Sequence, residues 1–165
     1  MSNLRTPGIP LRVGVVGLGY VGLPLALAFG RRLSTIGFDL DAGRIKELRH
    51  HHDRNGEHGE DSFQAIRVDF TDDAARLREA EAIIVAVPTP IDGHKRPDLS
   101  KLLDACRLVG RHLSPATIVV FESTVYPGVT EELCVPVLEE ASGLAARRDF
   151  KVARLADGIE DIKDL

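Results

Sequence analysis

Three glycines, in the string Gly17-Leu18-Gly19-Tyr20-Val21-Gly22, constrain this chain more than any other feature. They follow a near-continuous apolar run, residues 11–16, whose lack of alternation suits a strand buried on both faces. They open a helical pattern over 20–32, where Pro24 is tolerated because it falls in the first turn. A second strand pattern, 34–39, ends at the acidic Asp39, 22 positions after Gly17. A strand, a glycine turn, a helix and a second strand ending on a carboxylate about 20 residues later form the fingerprint of a dinucleotide-binding βαβ unit. The intervening helix is long enough for the right-handed crossover such a unit needs.

Each residue of the fingerprint has a physical task. Gly17 allows the tight turn, Gly19 lets the backbone approach a pyrophosphate, and Gly22 lets the helix pack close to the strand. Tyr20 and Val21 lie between them and belong to the same cofactor loop. The anion is held by backbone amides and a helix dipole, so the site needs no basic patch. The Asp39 carboxylate can accept hydrogen bonds from both hydroxyls of an adenosine ribose and repels a 2′-phosphate. The expected cofactor is therefore NAD rather than NADP. A glycine turn without ligand is the competing reading.

The remaining chain continues the alternation. A helix is expected over 41–50, a weaker strand over 65–70 and a short helix over 72–79. A buried strand over 82–87 is stopped by Pro88-Thr89-Pro90, and a helix follows over 99–112. A further strand, 117–121, and a helix, 130–141, complete the pattern. This order implies an α/β fold: a doubly wound parallel sheet, the three-layer αβα Rossmann domain. Thr89, and Glu122, Ser123 and Thr124 after the strand at 117–121, fall on the carboxyl edge of the sheet, where such folds bind ligands. Turn chemistry is the alternative for Thr89, and capping of the next helix for Ser123 and Thr124.

Composition excludes several classes. A length of 165 residues supports one domain with a full core, and 44% hydrophobic with 28% charged residues is the globular range. The net charge is −4 and the basic residues are scattered, which argues against nucleic acid or an anionic membrane as partner. No apolar run approaches the roughly 20 residues that span a bilayer. Residues 1–10 lack the apolar core of a signal peptide and read as a flexible lead-in. Cys106 and Cys134 lie in apolar helical patterns without a Cys-x-x-Cys spacing, and read as reduced, buried residues of a cytoplasmic protein. His50, His51, His52 and His58 invite a metal, but no matching ligand spacing accompanies them. The polar segment 51–64 reads as a solvated, mobile loop, and no metal is expected.

Taken together, the motifs resemble the nucleotide-sugar 6-dehydrogenases of the UDP-glucose/GDP-mannose dehydrogenase family. The resemblance is carried by Val16-Gly17-Leu18-Gly19-Tyr20-Val21-Gly22-Leu23-Pro24 with Gly37-Phe38-Asp39, by Val87-Pro88-Thr89-Pro90 and Pro97-Asp98-Leu99, and by Phe121-Glu122-Ser123-Thr124-Val125-Tyr126-Pro127-Gly128. The last string is closer to the branch acting on UDP-N-acetylhexosamines than to the UDP-glucose branch. It implies an NAD-dependent, four-electron oxidation of a sugar C6 alcohol to a carboxylate, through a thiohemiacetal on a cysteine. By position, Gly17, Gly19 and Gly22 would hold the pyrophosphate and Asp39 the ribose. Arg44 would lie over the adenosine end and Thr89 near the nicotinamide ribose. Thr124 matches a threonine that helps order the catalytic site, and the full-length family forms homodimers.

The resemblance stops near residue 152, so the NAD-binding domain is expected over 11–152. The family continues with a Ser-Pro-Glu-Arg segment, whereas this sequence reads Ala153-Arg154-Leu155-Ala156-Asp157-Gly158, and 153–165 is expected to be a non-family tail. The catalytic lysine and the Gly-Gly-His-Cys nucleophile motif are not among these residues. Neither Cys106 nor Cys134 has a neighbouring base or glycine-rich loop to activate it. The 165 residues are thus expected to bind NAD without catalysis, a UDP-sugar being engaged only when the missing half is supplied. A non-catalytic NAD-binding module or gene remnant, and a hydroxyacid or 6-phosphogluconate-type dehydrogenase, are the other readings.

Overall fold

Apart from the last, the strands form where apolar residues, many of them β-branched, gather in runs of four or five. The computed structural model describes residues 11–90, 97–122 and 128–154, and within them these runs build a six-stranded sheet. The elements are β1 (Arg12–Val16), α1 (Gly22–Gly30), β2 (Ser34–Phe38), α2 (Ala42–Arg49), β3 (Val68–Thr71), β4 (Ala82–Val85), α3 (Ser100–Arg111), β5 (Ile118–Phe121), α4 (Val135–Ser142) and β6 (Lys151–Arg154). Every strand pair is parallel and the order is β3-β2-β1-β4-β5-β6. The order reverses between β1 and β4, and the crevice at such a switch point is where open α/β sheets bind ligands.

Side-chain alternation sends each strand's residues to two cores. Val13 and Val15 of β1 and Ile84 of β4 pack under α1 and α2, with Leu23, Leu27, Ile45 and Leu48. Ile36 and Phe38 of β2, Ile83 and Val85 of β4 and Phe121 of β5 pack under α3 and α4, with Leu102, Cys106, Val109 and Leu138. Helices therefore cover both faces, giving three layers. The buried positions of α1 (Leu23, Ala26, Leu27, Gly30) and of α3 (Leu102, Ala105, Cys106, Val109) both follow the i, i+3, i+4, i+7 spacing that lays one helix stripe on a sheet.

Four local features differ from the sequence pattern. The short helix expected over 72–79 is a 3-10 helix, Ala74–Glu79, with Leu77 buried. The helix expected over 130–141 begins as a π turn, Thr130–Cys134, before α4. Pro136 has no N–H to donate and its ring crowds the carbonyl four residues back, and a widened turn relieves that conflict. The segment 51–64 is largely exposed, as expected, but it is anchored at two points. Asp53 and Phe63 are buried, a 3-10 helix runs over Glu60–Phe63, and His51 stacks on Phe63 with ring centroids 5.5 Å apart. Finally, β6 is a strand the sequence pattern did not show, paired through Val119↔Val152 at the sheet edge.

Candidate dinucleotide site

The glycine loop joins β1 to α1 at the switch point. Gly17 has φ +91°, in the left-handed region that a side chain strains to adopt, and its N–H donates to the Phe38 carbonyl at 2.9 Å. A Cβ on Gly22 would lie 1.6 Å from the Gly17 carbonyl oxygen, so only glycine lets α1 start this close to the loop. Gly19 is the opposite case, since a Cβ there would have nothing within 4 Å. Open space above Gly19 is what an approaching pyrophosphate requires. No side chain caps α1 and no acidic residue lies in its first turn, so no acid neutralises the positive end of its dipole, while the Leu23 N–H donates to the Gly19 carbonyl at 3.1 Å.

Asp39 closes the site. One carboxylate oxygen accepts from the Leu18 N–H at 2.8 Å and the other from the Asp41 N–H at 2.9 Å. The acidic group is thus fixed against the loop while the residue stays half-exposed. Asp41 next caps α2, accepting from the Arg44 N–H at 3.1 Å. That amide lowers the Asp41 pKa most, burial acts against it, and Arg54 adds to the lowering.

A cavity of about 450 Å³ opens between these elements, within the range of small-molecule and cofactor sites. Its base is the glycine loop, one wall is Phe38 to Leu40, and the other is Val87 and Pro88. Lys101, Asp104, Ala105 and Leu108 of α3 also line it. The sequence reading did not single these four out, although their i, i+3, i+4, i+7 spacing is the signal of a single helix stripe. Leu40, which lines the cavity, is 76% exposed, and Tyr20 of the glycine loop is 67% exposed. A second cavity, about 410 Å³, lies between the π turn and β6, lined by residues such as Thr130, Glu139 and Arg154.

The predicted residues divide as follows. Gly17, Gly19, Tyr20, Val21, Gly22 and Asp39 come together around the loop. Thr89 is half-buried beside Pro88 on the carboxyl edge. Ser123 and Thr124 lie outside the described residues. Arg44 is 4% exposed and sits beneath the loop, its Nε donating to the Leu18 carbonyl at 3.0 Å and its Nη2 2.8 Å from Asp53 Oδ1. Asp53, which sequence reasoning placed in a solvated loop, therefore belongs to the site's foundation. Burial raises its pKa, but Arg44 and the Asn55 and His58 amides outweigh this and hold it below the ordinary carboxylate value. Among the described residues no group of His, Cys, Asp and Glu is placed to hold a metal ion, and no helix is long and apolar enough to cross a membrane.

The open face of Gly19, the uncapped α1 and the tethered carboxylate fit NAD. The model of the UDP-glucose/GDP-mannose dehydrogenase family NAD binding domain matches residues 11–157. The chain is 54% identical over 140 residues to protein CapL of Staphylococcus aureus, and 50% identical over 141 residues to a UDP-N-acetyl-D-glucosamine 6-dehydrogenase of Pseudomonas aeruginosa. Each match covers 85% of this chain and 33% of the relative, so the chain spans about a third of the length of these curated relatives. The crystal structure of NDP-N-acetyl-D-galactosaminuronic acid dehydrogenase from Methanosarcina mazei matches with a TM-score of 0.79 at 33% identity, over 89% of this chain and 34% of that one. Loop geometry, strand order and relatives converge: the chain belongs to the UDP-glucose/GDP-mannose dehydrogenase family and contains its NAD-binding domain.

Proposed function

We propose that this chain is the cofactor-binding part of a cytoplasmic, NAD-dependent dehydrogenase that oxidises the C6 alcohol of a UDP-N-acetylhexosamine to the carboxylate. The cofactor reading is carried by Asp39, tethered through both carboxylate oxygens to loop amides at the cavity mouth. The substrate reading is supported by the 50% identity to a relative named for UDP-N-acetyl-D-glucosamine. When bound, NAD supplies the hydride acceptor, and four-electron oxidation consumes two of them. Gly17, Gly19 and Gly22, with the Tyr20 and Val21 segment, receive the pyrophosphate on backbone amides. Asp39 binds the adenosine ribose, and Arg44 supports that end of the site. Thr89 follows β4, and Ser123 and Thr124 follow β5 in sequence, a placement that suits the nicotinamide end.

The covalent chemistry needs an exposed thiolate. Cys106 and Cys134 are 0% exposed, so neither is that nucleophile. The UDP-sugar is engaged together with the part of the family protein that carries the nucleophile, in a homodimer. Calorimetric titration of the 165-residue chain with NAD and NADP tests the cofactor reading. NAD binds the wild type in preference to NADP, and Asp39→Ser narrows or reverses the preference. Equal affinity for both in the wild type, or no heat at millimolar NAD, would refute it. In the full-length protein, NADH release is faster with UDP-N-acetylglucosamine or UDP-N-acetylgalactosamine than with UDP-glucose, and the reverse order would remove the substrate reading.

A further inference from the structure

We infer that Arg44 and Asp53 form a buried device that positions the pyrophosphate-binding peptide of the glycine loop, with Asp53 as a positioning residue for cofactor affinity. The inference rests on the dinucleotide reading of that loop.

Both polar groups of the Leu18 backbone are anchored: its N–H to Asp39 at 2.8 Å and its carbonyl to Arg44 Nε at 3.0 Å. The described chain has no cis peptide bond, so the Leu18 carbonyl and the Gly19 N–H point in opposite directions. Holding the carbonyl toward Arg44 therefore turns the Gly19 N–H away from Arg44 and the buried pair, at an exposed residue whose Cβ direction is open. An anion is bound best by amides already aimed at it, because no reorganisation is then needed.

Arg44 is itself held. Its side chain is 5% exposed and that of Asp53 is 1% exposed, with 2.8 Å between them. Asp53 in turn accepts from the amides of Asn55, Glu57 and His58, which fix its carboxylate in a turn. The guanidinium suits this task because it meets the Leu18 carbonyl through an Nε hydrogen bond and Asp53 through an ion pair at Nη2, two partners that a lysine ammonium's single nitrogen does not reproduce. The pair is close to neutral overall. Its contribution is thus orientation of the peptide, not added positive charge behind the anion site.

That distinction makes Asp53→Asn informative. The variant keeps a carbonyl acceptor for turn amides but leaves Arg44 with only the more distant Glu47 carboxylate, 3.9 Å from its Nη1, so the net positive charge behind the loop rises. If charge were what mattered, anions would bind more tightly; if orientation matters, they bind more weakly. The experiment compares ADP, which carries the pyrophosphate, with adenosine, which does not, by NMR titration of the 165-residue chain. Hydrogen exchange of the Leu18 amide is followed in the ligand-free protein. Asp53→Asn weakens ADP about tenfold or more, the scale of one lost charge-assisted hydrogen bond, and adenosine by less than about threefold. It also speeds exchange at Leu18 while Val15, in the core of β1, keeps its wild-type rate. Arg44→Lys, which keeps the charge but offers one nitrogen, likewise weakens ADP and speeds exchange at Leu18. Equal losses for ADP and adenosine, tighter ADP binding, or unchanged Leu18 exchange would overturn the inference. A wild type that binds neither ADP nor NAD refutes the cofactor reading instead, and the exchange measurement then decides the positioning device alone.

Discussion

Gly19→Ala separates folding from binding. Its φ is not in the left-handed region, and the new methyl would meet nothing within 4 Å. The folded state therefore tolerates it, while the unfolded chain loses freedom, a stabilisation of about 0.4–1 kcal/mol where the backbone fits. For a domain of this size that raises Tm by about 1–4 °C. The same methyl occupies the space through which the pyrophosphate reaches the loop amides. Losing one hydrogen bond to a charged oxygen costs about 1.5–3 kcal/mol, a weakening of NAD by roughly tenfold to 150-fold. The assay is calorimetric titration with NAD beside thermal unfolding followed by circular dichroism. A variant that binds NAD like the wild type would show that the open face of Gly19 is not the pyrophosphate approach. A Tm lowered by several degrees would show that this space is occupied in the folded protein, contrary to the packing described.

Gly22→Ala gives the converse result, because its methyl meets the Gly17 carbonyl oxygen at 1.6 Å. Backbone must move, costing about 3 kcal/mol and lowering Tm by about 6–12 °C in a thermal melt. Acid unfolding reports on Asp149, whose carboxyl is lowered to about 2 by Arg148 and by the Ala145 amide. A depressed carboxylate stabilises above its unfolded value and loses that contribution as pH falls through the folded one. The difference in stability between wild type and Asp149→Asn is therefore constant above about pH 5 and closes toward pH 2; a difference that grows in acid would reverse the assignment. Both thiols are buried, and the Cys106 thiol is pushed up by its hydrogen bond with Cys134 and by burial. Neither reacts with a thiol-specific reagent until the protein is unfolded, and the 165 residues release no NADH from UDP-N-acetylglucosamine. Rapid native labelling would contradict this packing.

The route from residues to fold was shortest where local sequence carried its own geometry. Gly17 and Gly22 are glycine because of a positive φ and a 1.6 Å approach, both consequences of a strand running straight into a helix. The apolar runs of β1, β4 and β5 announce strands covered on both faces, and Asp39 directly follows β2, at the position proposed for ribose binding. Other features depend on contacts distant in sequence. Lys151-Val152-Ala153-Arg154 carries no strong strand signal and becomes β6 only because β5 offers it a parallel edge. The cavity-lining stripe of α3 acquires its meaning from β2 and the loop opposite. Asp53 reads as one more acid in a polar segment, and only the fold brings Arg44 to it from nine positions earlier and buries both. Sequence alone therefore determined the glycine loop, the alternation of strands and helices, and the acidic residue that follows the second strand. Tertiary structure decided how that loop is held, because the cost of a buried charge is met only by a partner that packing delivers.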